Sequence, residues 1–346
     1  LLRRLSSLRR GGQQDEARRG ALTAGPVSEE NESRPAHVWL WSLVAIGLIV
    51  ALPFIMGADF ARLWTAVVSI PMWAFLCAMV AQALIMAFGA EKWRRVLAAL
   101  PRAPVSLPFS AALSATTIGA GLGQILSIQI VTPMARAWVG RRWNVPLGRS
   151  VGASLYEQLF ELMALAAAGA ISALVLIFGF GLGMAGIAAG ALLIVLAVLI
   201  RPAMIVSGRA ALLFAIGPLS SFGGKLSEGF AEASELAAAT LRLLISLSII
   251  RYLIIMGLNV GLLVLIAPEA PALNLALAYP LVLFIMTLPI VPGGLGVTEL
   301  AWSGVLLHAG LSSAEAIEAA LTLRIVSTAA FFAVTPLLMA IGRIRV

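Results

Sequence analysis

The chain has 346 residues, of which 61% are hydrophobic and 12% charged; its mean hydropathy is +1.01 and its formal net charge is +8. Soluble domains carry about 25% charged residues, so this composition excludes a soluble enzyme and a disordered chain, and the single cysteine, Cys77, excludes an internally disulfide-stapled scaffold. What remains is an all-α integral membrane protein, whose basic excess is read first as topology rather than as a nucleic-acid footprint.

Residues 1–36 are rich in arginine and acids, with few large apolar residues after Leu8, and read as a disordered cytoplasmic tail rather than a signal peptide. A transmembrane domain is then expected over 37–345. A span needs about 20 apolar residues. Six stretches meet this: 38–57, 63–89, 150–178, 182–200, 244–267 and 314–341. Two further apolar regions, 107–134 and 272–310, are interrupted by glycine and proline, and each is expected to enter and leave the same face of the membrane as a re-entrant helical hairpin.

Charge tests this scheme. With the tail inside and the six spans alternating, 90–106, 135–149, 201–243 and the C-terminal end fall in the cytoplasm, provided 107–134 returns to its side of entry. All of the 24 basic residues except Arg62, Arg251 and Arg324 are then cytoplasmic or in the tail. A full span at 107–134 would send Arg136, Arg141, Arg142 and Arg149 to the other side. The expected localisation is therefore the bacterial inner membrane, multi-pass, with both termini cytoplasmic.

The two interrupted regions resemble each other: a half-helix, a Gly/Pro turn, a polar residue, then a long charged span. They open to opposite faces, which is the pattern of an inverted repeat, the first about 63–200 and the second about 244–342. Between them, Leu226, Phe230, Ala233, Ala237 and Leu241 share one helical face and Glu228, Glu232 and Glu235 another, so 225–243 reads as a linker helix lying on the cytoplasmic membrane surface.

Charges inside a bilayer are costly and face a cavity or one another. Glu157 and Glu161 are one turn apart on one helix face, and Arg324 lies in the middle of the last span. An ion pair between Arg324 and one of these glutamates either fixes packing or lines a polar pathway. Arg251 sits near the start of its span and is expected to snorkel to the interface. In Pro292-Gly293-Gly294-Leu295-Gly296 the glycines permit a sharp turn or close backbone approach. The next helix should begin near Val297, presenting an N-terminus that favours anions, with Glu299 in its first turn. Arg136 supplies positive charge after Pro133.

Few enzyme signatures stand in the sequence: Asp15 and Asp59 are the only aspartates, two histidines leave little for a metal site, and neither GxxxxGK[ST] nor HExxH occurs. No catalytic residue, metal or cofactor is assigned.

PGGLGVTEL (292–300), followed by LTLRIVS (321–327), resembles the closing motif of the flippase-like transmembrane domain of lysylphosphatidylglycerol synthases, which also occurs as stand-alone proteins. GQILSIQIVTPMARAW (123–138) with SVGASLYEQLFEL (150–162) resembles its first half, and the resemblance extends over about 40–342. It departs at Gln158, where an acid–arginine pair is expected after Glu157, and in a turn before Arg136 that is less glycine-rich. The resemblance implies lipid translocation between leaflets through a cavity between two re-entrant repeats, with Arg136, Glu157, Glu299 and Arg324 carried over as its functional positions; the reading of the residues adds Glu161, Gly293, Gly294 and Gly296 to the expected headgroup and cavity lining. It also implies a membrane lipid as substrate and a lipid-synthesising enzyme as a possible partner, since lysyl transfer belongs to a separate soluble domain. A non-transporting accessory protein of a lipid or envelope pathway is the other reading.

Overall fold

The computed structural model describes residue 47 and residues 57–343, apart from 103, 125, 179–228, 230, 234 and 288–293. The tail 1–36, the spans expected at 38–57 (apart from residues 47 and 57) and 182–200, residues 225–228, 230 and 234 of the linker, and Pro292 and Gly293 lie outside the described residues. Among the described residues every regular element is an α-helix. They are α1 (Phe60–Val68), α2 (Met72–Ala98), α3 (Phe109–Gly123), α4 (Ile128–Arg141), α5 (Leu147–Phe178), α6 (Ala238–Ile266), α7 (Ala272–Thr287), α8 (Val297–His308) and α9 (Ser313–Arg343). Helices α2, α6 and α9 are long and apolar enough to cross a membrane.

The span expected at 63–89 is two helices. Asp59 caps α1 by accepting from the Ala61 and Arg62 amides, α1 ends at Val68, and Pro71 immediately precedes α2. Hydropathy alone does not register this break, because Ser69 and Pro71 sit between two apolar runs; proline stops the chain from continuing the first helix. At its other end α2 runs through 90–98, which the charge count assigns to a loop. The buried row Ala78, Ile85, Gly89, Trp93, Val96 and Leu97 keeps a helical period past the first charges.

The interrupted regions are two short helical pairs. At 15 and 14 residues, α3 and α4 are each about 22 Å long, short of the roughly 30 Å hydrocarbon core. They run antiparallel: Gly123 faces Ile128 and Gly119 faces Thr132. A Cβ on Gly119 would stand 2.9 Å from Thr132 Cα, so the pair packs backbone to backbone. The small residues Ala111, Ala112, Ala115, Thr116 and Ala120 let α3 be enclosed almost all round. Helix α4 continues to Arg141 with Pro133 inside it, so Pro133 does not end the element and Arg136 belongs to a helix rather than a loop. Helices α7 and α8 pack as the second pair, with the Tyr279 and Trp302 rings 6.0 Å apart. Their turn reaches α8 through Gly294 (φ 64°) and Gly296 (φ 81°), left-handed positions that favour glycine, and α8 begins at Val297 as the sequence predicts.

The order long helix, short pair, long helix thus occurs twice, as α2–α5 and as α6–α9. The leading helices run in opposite senses: Gly89 of α2 lies beside Arg251 of α6, while Lys92, further along α2, shares a small cavity with Leu244 and Ser248, further back along α6. Each quartet packs its first short helix on the last helix of the other. Helix α3 meets α9 where Gly121 abuts Phe331, and α7 meets α5 where Gly169 abuts Leu281 and Phe284.

The linker departs from expectation. Glu235 is in a turn, Leu236 and Ala237 are non-helical, and a new helix starts at Ala238, so a continuous helix over 225–243 is not formed. Glu232, expected on the solvated face, is buried at 3% exposure: it accepts from Arg149 Nε at 2.9 Å and from the Arg102 amide at 3.1 Å. A carboxylate so held is a tether across the cytoplasm-assigned segments, not a surface charge.

Candidate functional site

The buried charges gather at two places, one in each quartet. In the first, helix α5 presents Glu157 and Glu161 on one face, one turn apart. Around them converge Lys92 from α2, Arg136 from α4 and Arg251 from α6. Glu157 accepts from Arg136 Nη1 at 3.0 Å and lies 3.1 Å from Lys92 Nζ. Glu161 is bonded to Lys92 and accepts from Arg251 Nη1 at 3.1 Å. The result is a ladder of alternating sign: Arg251, Glu161, Lys92, Glu157, Arg136.

The ladder is graded in exposure. Arg251 and Glu161 are each 23% exposed, whereas Lys92, Glu157 and Arg136 are 1%, 6% and 3% exposed. Its deep end is fixed by three further contacts. Arg136 Nη2 donates to the Gly89 carbonyl at 2.9 Å, Arg136 Nη1 reaches Ser154 Oγ at 3.4 Å, and the guanidinium lies 5.4 Å from the Trp93 ring centroid. Burying such charges is tolerable because every carboxylate has two cations and every inner cation has a carboxylate. A small cavity bounded by Lys92, Tyr156, Glu157, Leu241, Leu244 and Ser248 adjoins the ladder, with room for about one water molecule.

In the second quartet Glu299 is fully buried in the first turn of α8. Its Oε2 accepts from the Gly296 amide at 2.7 Å, closing the α8 N-terminus, and its Oε1 is 3.7 Å from Arg324 Nε on α9. Arg324 is 10% exposed. The positions correspond: Glu157 and Arg324 each stand about three turns into the long helix that follows the short pair. Each faces the second helix of that pair. The signs are exchanged: arginine on the short helix and glutamate on the long one in the first quartet, the reverse in the second.

This corrects three sequence expectations. Arg324 pairs with Glu299 and not with Glu157 or Glu161, because α2, α4 and α6 already bring three cations to α5. Arg251 does not snorkel; its guanidinium turns inward to Glu161. Arg136 is not a charge in a cytoplasmic loop but a helical residue enclosed within the fold. Gln158 leaves no shortage of positive charge, since Lys92 and Arg251 supply it from other helices. The structure brings Arg136, Glu157 and Glu161 together in one place, and Gly294, Gly296, Glu299 and Arg324 in another. Sequence reading missed Lys92. The signal was there in the apolar period of Ala90, Trp93, Val96 and Leu97, which keeps α2 running and turns Lys92 inward, while Glu91, Arg94 and Arg95 pair among themselves on another side.

Among curated proteins none matches the chain. Residues 39–335 match the family model described as the lysylphosphatidylglycerol synthase TM region. The match covers nearly the whole chain, and the chain belongs to that family; it is a multi-pass membrane protein related to lipid metabolism.

Proposed function

We propose that this family member is a lipid transporter of the bacterial inner membrane that moves a polar-headgroup lipid between leaflets, and that it performs no chemistry on the lipid. The two quartets form an inverted repeat, and the short pairs α3/α4 and α7/α8 are re-entrant hairpins whose second helices carry charge to mid-membrane. One observation carries this reading: in both quartets a buried acid–arginine pair joins the second short helix to the following long helix, with signs exchanged. Packing of an all-apolar bundle needs no such pairs, and charges held inside a membrane commonly mark a substrate path. The headgroup passes along these pairs while the tails stay in the hydrocarbon. No nucleotide-binding motif accompanies them, so uphill movement draws on an ion gradient or a partner, with a lipid-synthesising enzyme as the natural supplier of substrate.

The accessory-protein reading has one observation in its favour: the buried charges are ion-paired with one another beside a cavity of about one water. Reconstitution separates the two. In proteoliposomes holding fluorescent phospholipid in both leaflets, the purified chain is expected to make the inner pool accessible to dithionite faster than in protein-free liposomes. An identical rate assigns the accessory role.

A further inference from the structure

The first charge ladder is not electrically balanced. Among the described residues, Arg251, Lys92 and Arg136 face two carboxylates, Glu157 and Glu161, leaving one positive charge in excess in a largely enclosed place. The second pair, Glu299 with Arg324, balances. The ladder also has a surplus of donors. Arg136 Nε and Arg251 Nε are buried without a hydrogen-bond partner among the described residues, and so are the Thr116 and Thr117 hydroxyl oxygens.

Thr116 and the two arginines come together at Gly89. A Cβ there would lie 3.2 Å from Thr116 Cγ2, 3.9 Å from Arg251 Nε and 4.0 Å from Arg136 Nη2. The bare backbone at 89 therefore leaves both guanidiniums beside one narrow space. Excess positive charge together with unmet donors calls for a ligand that is anionic and accepts hydrogen bonds. Phosphate oxygens do both; an ammonium does neither.

We propose that the ladder of Lys92, Arg136, Arg251, Glu157 and Glu161 binds the phosphate of a lipid headgroup of net negative charge, and that it disfavours headgroups carrying an added amine. This rests on the reading of the chain as a lipid transporter. The adjoining cavity is too small for a phosphate, so the headgroup enters by exchange. Glu161, at the more exposed end, gives up Lys92 and Arg251, and a phosphate takes its place between the same two cations. An aminoacylated phosphatidylglycerol, net positive, would add to the excess that a plain phosphatidylglycerol removes.

The test is equilibrium binding to the full purified chain in nanodiscs of phosphatidylcholine. Dioleoyl-phosphatidylglycerol, phosphatidylethanolamine and lysyl-phosphatidylglycerol are titrated in, and retained lipid is counted by native mass spectrometry. Phosphatidylglycerol is expected to bind about tenfold tighter than its lysyl derivative, the effect of a single favourable charge contact. Glu161→Gln, which removes the competing carboxylate, should tighten phosphatidylglycerol severalfold. Arg251→Gln, at the exposed end where the fold is least committed, should reduce the preference to near parity and keeps the test open if Glu161→Gln does not fold. Equal affinity of the wild type for the two lipids, or weaker phosphatidylglycerol binding in folded Glu161→Gln, overturns the proposal. Competition by glycerol phosphate at the same concentration as lipid assigns the site to soluble phosphate esters and overturns the lipid assignment. Leaflet exchange without headgroup preference in binding defeats this proposal alone; preference without exchange defeats the transporter reading alone.

Discussion

The two buried charge sites occupy matching places in the two quartets, yet they are built to different tolerances. In the first, two carboxylates share three cations drawn from α2, α4 and α6, so each acid keeps a partner when one cation is lost. In the second, among the described residues, Glu299 pairs with Arg324 alone of the cations and is also held by the Gly296 amide. Redundancy, not burial alone, decides how exchangeable a charge is. A site that must bind an anion benefits from charges that can re-pair.

Breaking the second site should have the largest effect. Arg324→Ala leaves the fully buried Glu299 without its ion-pair partner, at a cost of about 3–5 kcal/mol, read as a large fall in the midpoint of SDS-induced unfolding. The double variant Glu299→Gln/Arg324→Met removes the charges together and should recover most of that loss; a double as unstable as the single would contradict the pairing. In the first site Arg136→Gln should cost less, about 2 kcal/mol, because Glu157 keeps Lys92. If it costs as much as Arg324→Ala, the redundancy is not real. The hairpins offer a parallel comparison. Gly119→Ala pushes a methyl into the Thr132 backbone and should loosen α3/α4 by about 2 kcal/mol. Gly296→Ala meets nothing within 4 Å and costs only its left-handed conformation, about 1 kcal/mol. The smallest effect is expected at Arg251→Gln, about 1 kcal/mol or less, since Glu161 retains Lys92 and the pair is part-exposed.

The same contrast explains what the sequence made legible. The second site was written locally: PGGLGVTEL announces its turn, its helix start at Val297 and its capping acid within nine residues, and Arg324 stands out in an apolar span. The partner of Arg324 was mistaken because sequence spacing favoured the glutamates already seen on one face, while the true partner came from the preceding turn by folding. The first site was written across four helices. Glu157 and Glu161 were visible as a helical pair, but Lys92 and Arg251 looked like boundary charges, the kind that topology rules absorb. Only the packing of α2 and α6 in opposite senses turns them inward. The break at Pro71 and the burial of Glu232 were hidden for a similar reason: average hydropathy is blind to a single proline, and a helical wheel is blind to a helix that stops.

The most direct test of the central claim, that the buried acid–arginine pairs serve a lipid path rather than packing, is leaflet exchange by the folded double variant Glu299→Gln/Arg324→Met in proteoliposomes. Its fold should match the wild type in unfolding midpoint, and its exchange of fluorescent phospholipid should fall to the rate of protein-free liposomes. Exchange at the wild-type rate in that folded variant would contradict the account.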